Sequence, residues 1–82
     1  MINFEDYIEV NPKVMLGKPI IKGTRITVEL VLEKASYGYG VDDILRAYPH
    51  LKREQILAAY AFALHSFQTD TFYLNAKTPI AA

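Results

Sequence analysis

Lys13, Lys18, Lys22 and Arg25 fall within thirteen consecutive residues that hold no acid. Acids flank the run on both sides, with Glu5, Asp6 and Glu9 before it and Glu29 and Glu33 after it. The chemistry open to such a run is the capture of an anion. A phosphate or a carboxylate suits the planar fork of Arg25. The densest part, GKPIIKGTRITV from Gly17 to Val28, adds two glycines and a proline. The G-x4-G-K-[ST] spacing of a phosphate loop is absent from it. A second group, Lys52, Arg53 and Gln55, holds residue types that meet base edges and phosphates where a helix enters a DNA groove.

Two readings of Arg25 stay open at this level. In one, Gly23 makes a tight turn, Thr24 bonds across it, and Arg25 pairs with Glu29, four residues on. In the other, Arg25 touches a phosphate or a carboxylate of a partner.

Catalysis needs convergent groups, and the sequence offers few. His50 and His65 are the only histidines, and their spacing is not that of a helical metal pair. Asp42 and Asp43 are neighbours in the first turn of a helical pattern, where the helix dipole accounts for them. There is no cysteine, so thiolate metal sites and disulfides are excluded. We expect no enzyme, no metal and no cofactor.

The 82 residues suffice for one domain, and a chain of this size has a stability of ~4 to 12 kcal/mol. A composition of 51% hydrophobic and 22% charged residues is globular, not disordered. Nine basic and nine acidic residues cancel, so any field that attracts a polyanion is local. The start, MINFEDYIEV, lacks a basic region before an apolar run and does not read as a signal peptide. No apolar stretch has the length of a membrane span, so a cytoplasmic protein is expected.

The elements that must position the cations follow from pattern. Tyr7 to Val10 alternates and stops at Asn11-Pro12, which reads as a short strand ending in a turn. Ile20-Ile21 and Thr24-Arg25-Ile26 read as two short strands around a turn at Lys22-Gly23, with Gly23 supplying a positive φ. Tyr7 to Val10 would pair with one of these arms. A first helix begins at Thr27 as N-cap, with Leu30, Val31, Lys34 and Ala35 at helical spacing, and ends near Gly38 and Gly40. A second helix covers about Val41 to Ala47, with Ile44 and Leu45 inward, and stops at Pro49. A third covers about Arg53 to Phe67. The intervening Tyr48-Pro49-His50-Leu51 has the length of a helix-turn-helix joint.

The third helix carries more apolar surface than one stripe requires. Ile56, Tyr60, Ala63, Leu64 and Phe67 form one side, and Ala59 and Phe62 lie on another. Two short helices and a hairpin cover only part of it, so the remainder is expected to meet another chain, with Tyr60, Phe62, Leu64 and Phe67 as anchors. The alternative is that the tail folds back over it. That tail, residues 68 to 82, holds Phe72-Tyr73-Leu74, a candidate strand or a segment that orders on a partner.

These residues together resemble a known family. Pro12, Val14, Gly17-Lys18-Pro19, Ile21, Gly23-Thr24-Arg25-Ile26 and Val28 are followed by Gly38, Asp43-Ile44-Leu45, Tyr48-Pro49, Leu51, Glu54, Ile56, Ala58-Ala59 and Ala63. The pattern, from about Tyr7 to Phe67, is similar to domain of unknown function 433, grouped with VapB-type antitoxins. The resemblance implies a mainly α fold, a three-helix homeodomain-like (helix-turn-helix) bundle with a short N-terminal β-hairpin. It also implies an antitoxin that binds and silences a PIN-like ribonuclease and binds its own operator as a dimer. Phe72, Tyr73 and Leu74 would then order on the nuclease. Lys22, Arg25, Lys52, Arg53 and Gln55 would face DNA. A stand-alone DNA-binding regulator and a structural homodimer without nucleic acid are the alternatives. The family often places Ser or Thr before its second and third helices, whereas this chain has Gly40 and Lys52. Lys52 offers no side-chain acceptor to free amides, which fits either a ligand-facing cation or a loss of ~1 kcal/mol of capping. The expected organisation is a domain over 1–67 and a tail over 68–82.

Overall fold

A computed structural model describes residues 2–69. A 3-10 turn, Phe4–Asp6, leads into strand β1, Ile8–Val10. A second 3-10 turn, Met15–Gly17, precedes strand β2, Pro19–Ile21. Three helices follow: α1, Val28–Ser36; α2, Val41–Ala47; and α3, Arg53–Thr69. β1 and β2 form one antiparallel sheet in the register Ile8↔Ile21, Glu9↔Ile20 and Val10↔Pro19. The chain is therefore mainly helical, with three helices and a two-stranded sheet. The tail beyond Thr69, with Phe72, Tyr73 and Leu74, lies outside the described residues.

The core closes where the sheet meets the helices. Ile8, Ile21, Ile26, Val28, Val31, Ile44, Leu51, Ile56, Ala58 and Ala59 form one buried cluster. Both strands and all three helices contribute to it, which is how so short a chain gains a common centre. The alanines let α3 approach its neighbours closely. Ile20 is buried as well, although adjacent strand residues point to opposite faces, so the small sheet is covered on both.

The turn at Gly23 forms as the sequence suggests, but its second arm is not a strand. Gly23 has φ 78°. The Ile21 amide donates to the Ile26 carbonyl at 2.9 Å. Thr24 locks the turn: its hydroxyl donates to the Ile21 carbonyl at 2.8 Å and accepts from the Ile26 amide at 3.0 Å. Past this point only a single bridge, Ile20↔Thr27, continues the pairing. Thr24-Arg25-Ile26 therefore closes a tight turn, because the chain must enter α1 at once and has no residues left for a strand. β2 takes β1 as its partner instead.

Helix ends are settled by local groups. Thr27 is the N-cap of α1, its hydroxyl accepting from the Leu30 amide at 2.9 Å. Thr27 is itself buried, so the bond is shielded from water. Thr27→Ala is expected to lower stability by ~1 kcal/mol, or ~4–8 °C in Tm by thermal unfolding. α1 stops at Gly38, whose φ of 95° leaves the helical region while its amide bonds the Ala35 carbonyl at 2.9 Å. Gly40 precedes α2 without a side chain, and the Asp43 carboxylate compensates by accepting from the Gly40 amide at 2.8 Å. Gln55 does the same for α3, its Oε1 accepting from the Lys52 amide at 2.7 Å. Both are the second half of a capping box without the first. Lys52→Thr would supply the missing half, and is expected to raise Tm by ~4–8 °C.

Two consecutive non-glycine residues, Met15 (φ 50°) and Leu16 (φ 58°), are left-handed, and Gly17 (φ 80°) follows them. This conformation disfavours residues with a Cβ by roughly 1–2 kcal/mol each. The loop is held by its own bonds, from the Val14 amide to the Asn11 carbonyl at 2.9 Å and from the Gly17 amide to the Val14 carbonyl at 3.0 Å. Leu16 stands at its tip, 94% exposed.

Candidate functional site

The cations divide into paired and unpaired sets. Glu29 takes Lys18, at 3.0 Å from Nζ to Oε1, and not Arg25, four residues before it. Arg25 precedes the Thr27 cap and so is not carried on α1 with Glu29. Arg53 pairs with Asp42 across the α2–α3 joint at 3.3 Å, and Arg46 pairs with Asp43 within α2. Gln55 spends its carbonyl oxygen on the Lys52 amide. Lys34 sits over the Tyr39 ring, 5.6 Å from its centroid. Lys13, Lys22, Arg25 and Lys52 are exposed and, among the described residues, have no ion-pair partner. Of the five candidate DNA contacts, Lys22, Arg25 and Lys52 are thus free, while Arg53 and Gln55 have structural work. Lys22 and Arg25 belong to the Gly23 turn and Lys52 to the start of α3, so two separate elements carry them.

The anchors on α3 also divide. Tyr60 and Phe62 are half-buried against the protein's own core. Phe62 meets Phe4 edge-on, with ring centroids 5.4 Å apart and planes at 87°. The N-terminal 3-10 turn therefore packs on Phe62 and His65, one part of the α3 surface expected to meet another chain. The signal was Phe4 itself, an aromatic residue within an acidic segment. His65 packs on the same ring at 5.2 Å, and His50 meets Tyr48 edge-on at 6.3 Å. No cluster of potential metal ligands occurs among the described residues.

The outer and C-terminal surface of α3 is partly exposed. Leu57, Leu64 and Phe67 are 38%, 53% and 44% exposed. Leu57, Ala61 and Leu64 follow i, i+4, i+7 spacing and share one face. On the other side, Phe62, Ala63, Ser66 and Phe67 join Pro19, Val28, Glu29 and Leu32 around a groove of ≈ 410 Å³. A second hollow, ≈ 310 Å³, lies between Ile2, Asn3, Phe4 and the Ala61, Leu64, His65, Gln68 face. The groove is where the core stripe of α3 runs past the short α1, so its lining continues the core outward.

Taken together, the fold and these surfaces define a small helical domain with a partly exposed apolar flank and, among the described residues, a local set of cations without ion-pair partners. Residues 8–63 match the family described as Protein of unknown function (DUF433). The chain belongs to that family. It is 31% identical over 58 residues to the "Uncharacterized protein y4eO" of Sinorhizobium fredii (strain NBRC 101917 / NGR234), an alignment that covers 71% of this chain and 26% of that protein. The chain thus spans about a quarter of the length of this curated relative. No solved structure matches. Among the described residues no helix is long and apolar enough to cross a membrane.

Proposed function

We propose that this chain is an antitoxin-like interaction protein that binds and neutralises a PIN-like ribonuclease, self-associates through α3, and works in the cytoplasm. The observation that carries the reading is the pair of apolar surfaces on the C-terminal half of α3: the Leu57–Ala61–Leu64 face and the groove around Phe62 and Phe67. A domain this small gains nothing in stability from holding such side chains in water, whereas an interface uses them. The outer face suits a partner protein, and Phe72, Tyr73 and Leu74 would extend that contact. The domain is not an enzyme in this reading. Affinity capture from the lysate of the native host, with mass spectrometry of what is bound, tests it. A small ribonuclease with an acidic active site, recovered at fixed stoichiometry and inhibited by the added chain, is the expected result. Recovery of the chain alone would remove the ribonuclease from the proposal.

A DNA-binding role is the second reading, and the free cations favour it. In it α2, residues 48–52 and α3 act as a homeodomain-like helix-turn-helix, with Lys52 at the groove and Lys22 and Arg25 on phosphates. The unpaired state of Arg25 supplies a test. Arg25→Ala is expected to change Tm by less than ~3 °C, as an exposed residue with no ion-pair partner among the described residues should. Operator affinity would fall, and the salt dependence of binding would lose about one unit of slope. A large loss of Tm with DNA binding intact would assign Arg25 to the fold.

A further inference from the structure

Glu54, Leu57, Ala61, Leu64 and Gln68 recur along α3 at spacings of three, four, three and four residues. That is the seam by which one helix packs along another. At 1.5 Å per residue it runs about 21 Å, with the small Ala61 at its midpoint, where a second backbone comes closest. Leu57 and Leu64 are exposed on either side of Ala61. Beside Ala61 and Leu64 the hollow of ≈ 310 Å³ extends to Ile2 and Phe4, so an apolar side chain entering there meets both α3 and the N-terminal 3-10 turn.

The charges around this seam have one sign. Glu54 stands at its start, and Glu5 and Asp6 stand on the 3-10 turn beside its far end. All three are exposed and, among the described residues, have no ion-pair partner. No Lys or Arg occurs among residues 2–9, and none occurs on α3 after Arg53, which pairs with Asp42. The same face of a second copy is a poor occupant. Parallel helices would set Glu54 against Glu54, and antiparallel ones would set Glu54 against the 3-10 turn that carries Glu5 and Asp6. A nucleic acid or an anionic membrane surface is repelled as well.

We propose that this seam seats a basic amphipathic helix of the partner protein, its apolar stripe lying along Leu57, Ala61 and Leu64 and its Lys and Arg residues facing Glu54, Glu5 and Asp6. Helix against helix matches the spacing, and the hollow takes one apolar anchor. Opposite charge steers the approach and rejects acidic helices. The inference rests on the ribonuclease-binding part of the reading above and specifies what the nuclease must present. A ribonuclease holds RNA phosphates with cations, so a basic helix seated here is withdrawn from the substrate.

The test uses the full chain and two designed helical peptides with the same leucine seam, one flanked by lysines and one by glutamates, with binding read by fluorescence anisotropy. The lysine peptide is expected to bind at least ~10-fold tighter than the glutamate peptide at low salt. Ala61→Gln, which puts a long side chain at the closest approach, is expected to weaken it at least ~30-fold with the helical circular dichroism retained. Glu54→Lys changes only an exposed residue, and is expected to weaken the lysine peptide several-fold and strengthen the glutamate peptide. Equal binding of the two peptides, no binding of the lysine peptide at millimolar concentration, or an unchanged preference in Glu54→Lys overturns the proposal. So does a dimer of the chain that Ala61→Gln dissolves, which would give the seam to a second copy. Capture from the host lysate is run in parallel with the wild type and Ala61→Gln. Lysine-peptide binding with no ribonuclease recovered supports the seam and counts against the nuclease alone. A ribonuclease captured equally by both chains overturns the seam and leaves the nuclease reading standing.

Discussion

Ile56→Ala is expected to unfold this domain at temperatures where the wild type is stable. Ile56 is fully buried at the point where α3 meets the common core. Truncating such a side chain costs ~2–5 kcal/mol, and neighbours bound into both the sheet and α2 leave little room for collapse into the cavity. The whole domain has only ~4–12 kcal/mol to lose. At the lower end of these costs the fall in Tm is roughly 8–16 °C, and at the upper end no cooperative transition remains. Circular dichroism melting reads it directly. Leu57→Ala, one residue on and partly exposed, is the internal control and should cost far less. A similar loss at both positions would mean that α3 is held by its whole circumference and not by its core stripe.

Leu64→Asp is expected to abolish capture of the ribonuclease with little change in Tm. Leu64 is the most exposed of the large apolar residues on α3, and it stands at the C-terminal end of the outer face. An apolar anchor replaced by a charge costs an interface at least ~2 kcal/mol, or about 30-fold in affinity. Because the side chain is already 53% exposed in the free domain, the fold depends on it only weakly. The measurement is binding to the captured nuclease, with melting of the free variant as control. If Leu64→Asp binds as the wild type does while Leu32→Asp does not, the groove, and not the outer face, meets the nuclease.

The parts of the fold that a local rule decides were readable in advance. Thr27 as N-cap, Val41 to Ala47 as a helix, and Gly23 as the turn each follow from residues within one turn of one another. What was not readable depends on which of several candidates a group meets in space. Glu29 had Arg25 four residues before it and took Lys18, eleven positions away, because Arg25 precedes the Thr27 cap and is not on the helix that carries Glu29. Phe62 looked like a surface anchor because its cover, Phe4, comes from the far end of the chain. Leu16 gave no signal at all: Met-Leu-Gly is not a sequence that announces left-handed backbone, and only Gly17 hinted at a turn. The unpaired cations were legible as a charged run, but which members stayed free was decided by tertiary neighbours.

Thr27 gives one sidelight on how this domain comes apart. Its backbone makes the last rung of the sheet with Ile20, and its side chain makes the first rung of α1 with Leu30. A residue shared in this way welds two elements into one opening unit. The amides of Ile21 and Leu30 should therefore exchange with deuterium at a common free energy, and a protease should find no stage at which the hairpin is loose and the helix still formed.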